Sequence, residues 1–165
     1  MVNIVIEVSK YLLILLIAAY TYWNFSYFRF RDPWQQGRVC VRQNAAMFLL
    51  HFVAYAVLFL KSEDERVILF YLAQVVFLAV YLGLYKVFYP LRSRLLVNNM
   101  CMLLMAGFVI LTRLNFDKAK KQFLIAVISA GITFFIPLII RKARALRKFT
   151  WVYAVIGIAL LGVVA

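Results

Sequence analysis

The sequence predicts an all-α fold, a polytopic transmembrane helical bundle of about six spans. Most of the chain consists of apolar runs of roughly 16 to 22 residues, and a helix of about 20 residues crosses about 30 Å of hydrocarbon. The composition is 67% hydrophobic with a mean hydropathy of +0.92. The basic residues are concentrated in short hinges between these runs. A chain of 165 residues built this way leaves no room for a separate soluble domain.

The first predicted span ends in a cluster of aromatic residues, as is typical of the water–lipid boundary. Glu7 precedes its apolar stretch and arginines follow it, which is the reverse of a cleavable signal peptide. The last predicted span stops at Gly-Val-Val-Ala without a polar flank, so we expect the chain to be the amino-terminal part of a longer one. The six predicted spans cover residues 4–25, 45–60, 67–88, 95–112, 123–140 and 149–165.

The hinges predict the topology. Three alternate hinges, residues 29–43, 86–94 and 141–148, hold twelve of the 19 basic residues, and the other side of the bundle holds seven. The positive-inside rule places the richer set in the cytoplasm and both ends of the chain outside. The net charge of +13 is thus explained by lipid phosphates and topology, and no nucleic-acid partner is expected.

One external hinge, residues 113–121, is richer in cations than this topology requires. It holds Arg113, Lys118, Lys120 and Lys121 against the single acid Asp117. Two interpretations stay open. The side chains extend to outer-leaflet phosphates, or they form an anion site at the outer mouth of a cavity, suited to a lipid-linked diphosphate.

Motifs for soluble-enzyme chemistry are absent from the sequence. It has no HExxH, no phosphate-binding glycine-rich loop and no paired carboxylates within the spans. We therefore predict no catalytic residue, no metal site and no cofactor in this stretch. The acidic residues 63–65 are interpreted as a solvated turn rather than a cation site. Cys40 and Cys101 are not spaced as a metal or redox motif, and a disulfide between them is not expected.

Several polar residues lie inside or beside the predicted spans. His51 is predicted to be a neutral histidine bonded to a neighbouring helix, because one imidazole cannot hold a metal alone. Gln74, Asn98 and Asn99 are predicted to form interhelical hydrogen bonds. Glu7 and Lys10, one helical turn apart, predict a structural ion pair.

The second half of the chain resembles a known family. The stretch Asn-Asn-Met-Cys-Met-Leu-Leu-Met-Ala-Gly-Phe-Val-Ile-Leu-Thr-Arg-Leu begins at Asn98 and leads to Asp117 and then Lys-Lys-Gln at 120–122. Pro137, a basic stretch from Arg141 and a Leu-rich run follow. This order is similar to the opening of the SEDS (FtsW/RodA/SpoVE) membrane glycosyltransferases. The resemblance covers about 70 of the 165 residues. It implies that residues 95–165 are the first three family spans and residues 1–94 a three-span extension.

What the resemblance implies is polymerisation of lipid II into peptidoglycan at the bacterial cytoplasmic membrane, in cell division or cell-shape maintenance. The family works with a class B penicillin-binding protein. Its proposed catalytic Asp lies in a later loop, so residues 1–165 alone are expected to be inactive. The basic-basic-Gln element matches Lys120, Lys121 and Gln122, which with Arg113 are the predicted contacts to the polyprenyl diphosphate of the substrate.

Two other classes stay open. One is a small non-enzymatic membrane protein that acts through helix–helix contacts as an assembly or scaffold factor. The other is half of a transporter, although the spans lack the buried charged residues that ion-coupled transport usually needs.

Overall fold

The computed structural model describes residues 2–142, together with 151, 155 and 157. Five helices occupy residues 2–142, and each contains a segment long and apolar enough to cross a membrane. The predicted fold class, a polytopic helical membrane protein, is confirmed. The sixth predicted span, residues 149–165, lies outside the described residues except for three positions. The helices are α1 (Val2–Arg29), α2 (Pro33–Ser62), α3 (Glu65–Phe88), α4 (Arg94–Leu114) and α5 (Phe116–Lys142).

The predicted start of the second span at residue 45 is wrong, because α2 begins at Pro33. The side chain of Asp32 caps the helix by accepting a hydrogen bond from the backbone N–H of Trp34 at 3.2 Å. Proline fits the first turn, where its missing N–H has no helical partner to lose. Hydropathy placed the start of the span too late because residues 35–44 are mostly polar, but a capped helix can extend through polar residues beyond the hydrocarbon.

The stretch between the second and third predicted spans, residues 61–66, and the predicted hinge at 113–121 are also mostly helical. Between α2 and α3 only Glu63 and Asp64 leave the helix, and Glu63 takes the left-handed conformation with φ 53°. A single residue, Asn115, separates α4 from α5. The side-chain oxygen of Asn115 accepts a hydrogen bond from the backbone N–H of Lys118 at 3.0 Å. Helix caps thus replace what the sequence predicted as loops.

Residues 1–124 form one compact unit and residues 125–165 another. Within the first unit α2 is central and packs against α1, α3 and α4. Its core contains side chains that are almost fully enclosed, among them Met47, Leu78, Met105 and Phe108. The predicted boundary at residue 94 thus falls inside this unit. That boundary separates the predicted three-span extension, residues 1–94, from the predicted family spans, residues 95–165, and this division stays a prediction.

Side-chain contacts fix the helix directions in the first unit. Asn98 of α4 contacts Cys40 of α2, and Thr112, fourteen residues further along α4, contacts Tyr55, fifteen residues further along α2. The two helices therefore run parallel. The α1–α2 turn (residues 30–32) and the α3–α4 turn (residues 89–93) therefore lie at one end, here called the cationic end. The α2–α3 and α4–α5 turns lie at the opposite end, here called the mixed-charge end.

Candidate functional site

A cavity of about 240 Å³ opens at the cationic end. Residues from the first turns of α2 and α4, the last turns of α3 and the α3–α4 turn converge on it. One wall is apolar, and the remainder carries amides and cations. The lining residues are Gly37, Cys40, Val41, Asn44, Leu82, Gly83, Lys86, Arg92, Arg94 and Asn98.

Three cations line this cavity, namely Lys86, Arg92 and Arg94. Arg92 is half-buried, and its Nη1 donates to the backbone oxygen of Tyr89 at 3.3 Å. Its Nε is enclosed and meets no acceptor in the described structure. Partial burial, and then the charge of Arg94, lower the pKa of Arg92. The cationic side chains therefore repel one another, an arrangement that a bound anion would relieve.

Gly37 is the position that lets Arg94 approach α2. A Cβ built at Gly37 would lie 3.1 Å from Nη1 of Arg94, a distance tighter than nine in ten real Cβ contacts. An alanine here would make the tip of the Arg94 side chain shift by a few tenths of an ångström, whereas glycine leaves it in place. At Gly83, Gly107 and Gly131 an added Cβ would meet nothing within 4 Å.

The cavity cations have no carboxylate beside them in the part of the chain that the structure describes. The sequence contains six acidic residues, and none of them lines the cavity. Five lie toward the mixed-charge end, and only Asp32 lies at the cationic end, where it caps α2. Among the described side chains, the ion pairs are Glu7–Lys10 at 2.6 Å, Asp64–Arg66 at 3.1 Å and Asp117–Lys120 at 2.8 Å.

A network of amides holds the helices together beneath the cavity. Nδ2 of Asn98 donates to the backbone oxygen of Cys40 at 3.1 Å and to Oε1 of Gln43 at 3.3 Å. Asn99 donates to Asn24 at 3.0 Å and accepts from the hydroxyl of Tyr20 at 2.9 Å. The predicted interhelical roles of Asn98 and Asn99 are confirmed, and their bonds reach both α1 and α2.

A second polar cluster lies nearer the mixed-charge end and joins α2, α3 and α4. His51 Nε2 is 3.0 Å from Oε1 of Gln74, whose Nε2 donates to the Tyr55 hydroxyl at 2.7 Å. The Tyr55 hydroxyl lies 2.8 Å from Oγ1 of Thr112, which donates to the backbone oxygen of Phe108 at 2.7 Å. If His51 carries its proton on Nε2, it donates to Oε1 of Gln74, and the Tyr55 hydroxyl donates to Oγ1 of Thr112. The buried Nδ1 of His51 has no hydrogen-bond partner among the described residues. The predictions for His51 and Gln74 are confirmed, and the cluster is explained as interhelical structure.

Other predictions from the sequence also hold. Glu7 and Lys10 form the predicted ion pair. Cys40 and Cys101 are both free and buried. Of the predicted acidic turn at residues 63–65, Glu63 and Asp64 lie between α2 and α3, and Glu65 begins α3. The side chain of Asp64 caps α3 by accepting a hydrogen bond from the backbone N–H of Arg66 at 3.0 Å.

The predicted diphosphate contacts lie at the end of α4 and the beginning of α5. Arg113, Lys120, Lys121 and Gln122 are all exposed. Lys120 pairs with Asp117, and its ammonium lies 5.2 Å from the centre of the Phe116 ring. Their common site stays a prediction, because exposure alone does not bring them onto one ligand.

Sequence reasoning missed the cavity at the cationic end. In the sequence, the positions of Lys86, Arg92 and Arg94 indicate only the membrane topology. Gly37 lies within the predicted hinge at residues 29–43. The sequence signal that could have indicated the cavity is Gly37, which lies in a polar stretch just after the helix-capping residue Asp32. No family model, curated protein or solved structure matches the chain.

Proposed function

We propose that this chain is the amino-terminal membrane portion of a SEDS-type glycosyltransferase. The complete protein would polymerise lipid II into glycan strands beside a class B penicillin-binding protein, in the bacterial cytoplasmic membrane. The observation that carries the proposal is the residue order across the α4–α5 junction. Arg113, Asp117 and then Lys-Lys-Gln at 120–122 precede Pro137 and a basic stretch, as in the family.

The junction has features that suit this chemistry. Polymerisation breaks the bond between an anomeric carbon and a diphosphate-lipid, and the leaving diphosphate gains negative charge that nearby cations stabilise. The one-residue turn at Asn115 keeps Arg113 and the first turns of α5 at the same end of the bundle. Lys120 is engaged by Asp117, whereas Lys121 is exposed and belongs to none of the ion pairs among the described residues. Lys121 is therefore the cation that we expect to matter most.

The test uses the natural full-length protein that contains this chain, purified with its partner and supplied with fluorescent lipid II. Lys121→Ala should lower the rate of glycan-strand formation by about tenfold or more, because it removes a cation from the leaving group. Lys118→Ala is the matched control, since Lys118 is equally exposed and lies on the same turn of α5. Comparable rates for the two variants would contradict the role of Lys121, and an unmodified complex without polymerase activity would contradict the proposed function.

A non-enzymatic scaffold remains the second candidate, and one feature of α5 favours it. Ala126, Ala130, Gly131 and Thr133 give this helix a stripe of small side chains that are half-buried or exposed. Small residues let transmembrane helices approach closely. If the protein acts as a scaffold, Ala130→Leu should abolish its biological effect while Lys121→Ala leaves that effect intact. The enzymatic proposal predicts that Lys121→Ala has the larger effect.

A further inference from the structure

We propose that the cavity at the cationic end binds the phosphate group of an anionic membrane lipid. This inference does not depend on the proposed glycosyltransferase function. It rests on the convergence of Lys86, Arg92 and Arg94 on one cavity without a neighbouring carboxylate. Guanidinium groups are well suited to phosphate because they donate several hydrogen bonds in one plane.

The size of the cavity fits a lipid headgroup. Its volume is about 240 Å³. One water molecule occupies about 30 Å³ of liquid, so the cavity has space for a phosphate group and part of a glycerol unit. Asn98 and Gly37 line the cavity beside the three cations, and the amide nitrogen of Asn98 already donates to Cys40 and Gln43, so the cations are the groups that would bind the phosphate.

The surroundings of the cavity favour a lipid as the source of the phosphate. Val41 and Leu82 line the cavity, and the side chain of Val41 is 68% exposed. Val87 and Leu91, next to the cationic side chains in sequence, are also exposed apolar residues. A helix end with this surface lies where acyl chains meet headgroups, so a lipid can place its phosphate among the cations while its chains stay in hydrocarbon.

A general attraction between surface cations and lipid is the competing explanation. Each Lys or Arg near an anionic lipid surface strengthens lipid binding, whether or not it lines a cavity. Arg38 and Arg42 provide the control, because both are exposed, both lie on the first turns of α2, and neither lines the cavity. The proposal requires that the cavity pair, Arg92 and Arg94, contributes more than this exposed pair.

The experiment counts bound lipids on the detergent-solubilised protein by native mass spectrometry. The probes are dioleoylphosphatidylglycerol, dioleoylphosphatidylcholine and inorganic phosphate as a competitor. The Arg92→Gln/Arg94→Gln variant should bind phosphatidylglycerol about tenfold or more weakly, whereas Arg38→Gln/Arg42→Gln should change binding less than about threefold. Competition by millimolar inorganic phosphate would show that the phosphate is the recognised group, and its failure to compete would show that recognition requires the lipid. An equal loss in both double variants, or no loss in either, would overturn the proposal.

A milder variant protects the test against misfolding. Gly37→Ala places a Cβ against Nη1 of Arg94 without removing any charge, so it should weaken phosphatidylglycerol binding. Gly107→Ala adds the same group to a helix interior where it meets nothing within 4 Å, and it should leave binding unchanged. Equal binding by these two variants, with both folded by circular dichroism, would also overturn the proposal.

Discussion

The two ends of the first compact unit both carry clusters of basic residues, but they treat the charge differently. At the mixed-charge end, Lys120 has Asp117 at 2.8 Å and Arg66 has Asp64 at 3.1 Å. At the cationic end, Lys86, Arg92 and Arg94 share a cavity that no acidic residue lines. Acidic residues of the protein therefore compensate part of the basic charge at the mixed-charge end, whereas the three cavity cations at the cationic end are left for a ligand or for lipid.

The difference shows why a count of basic residues is a poor guide to a binding site. The hinge at 113–121 attracted attention because its charge exceeded what the topology needed. The basic residues of the cationic end are those that the predicted topology requires, so the sequence alone gives no reason to expect a binding site there. Local acids and helix packing decide which cations are unpaired, and neither is visible in a hinge count.

The largest expected effect comes from Asn98, which anchors the start of α4 beside the cavity. Asn98→Leu should lower the free energy of unfolding by about 1–2 kcal/mol, because Cys40 loses a hydrogen bond and buried Gln43 loses a donor. Chemical unfolding in detergent, followed by circular dichroism, measures this change. Met102→Leu, a volume-conserving change one turn further along α4, is the control. A loss of the same size in the control would contradict the anchoring role of Asn98.

A smaller effect is expected at the opposite end from Asn115. Asn115→Ala should destabilise the protein by about 1 kcal/mol, because the backbone N–H of Lys118 loses its cap. Asn115→Asp keeps an accepting oxygen and should retain most of the stability. Melting temperatures of the three proteins in one detergent check the order. If Asn115→Asp is as unstable as Asn115→Ala, capping is not the reason for the effect.

The fold could be predicted from sequence further than the site could. Span number and helix type follow from long apolar runs, and the roles of His51 and Gln74 follow from the cost of an unpaired polar group in hydrocarbon. The extension of α2 to Pro33 was missed because hydropathy does not detect a polar helical turn. The cavity was missed because Gly37 and Arg94 are distant in sequence and meet only after α2 and α4 align in parallel.

The ion pair at the mixed-charge end is expected to contribute little to stability. Asp117 and Lys120 are exposed side chains one turn apart, so Asp117→Asn should leave the free energy of unfolding nearly unchanged. A double-mutant cycle with Lys120→Gln, measured by chemical unfolding, isolates the coupling between the two charges. A coupling clearly above the experimental error would mean that the pair is structurally important, and the comparison between the two ends would then concern stability as well as charge.

The smallest effect concerns the pH dependence at the α2–α3 turn. The backbone N–H of Arg66, and to a lesser extent its guanidinium, hold the pKa of Asp64 below its ordinary value. A carboxylate with a depressed pKa stabilises the folded state above the unfolded-state pKa of about 3.9, and this contribution is lost as the pH falls through the folded-state pKa. Asp64→Asn keeps a capping oxygen and removes only the charge. Its melting temperature should be slightly below that of the unmodified protein near neutral pH, and the two values should converge below about pH 4. A difference that keeps its size well below that pH would assign the effect to hydrogen-bond geometry instead of charge.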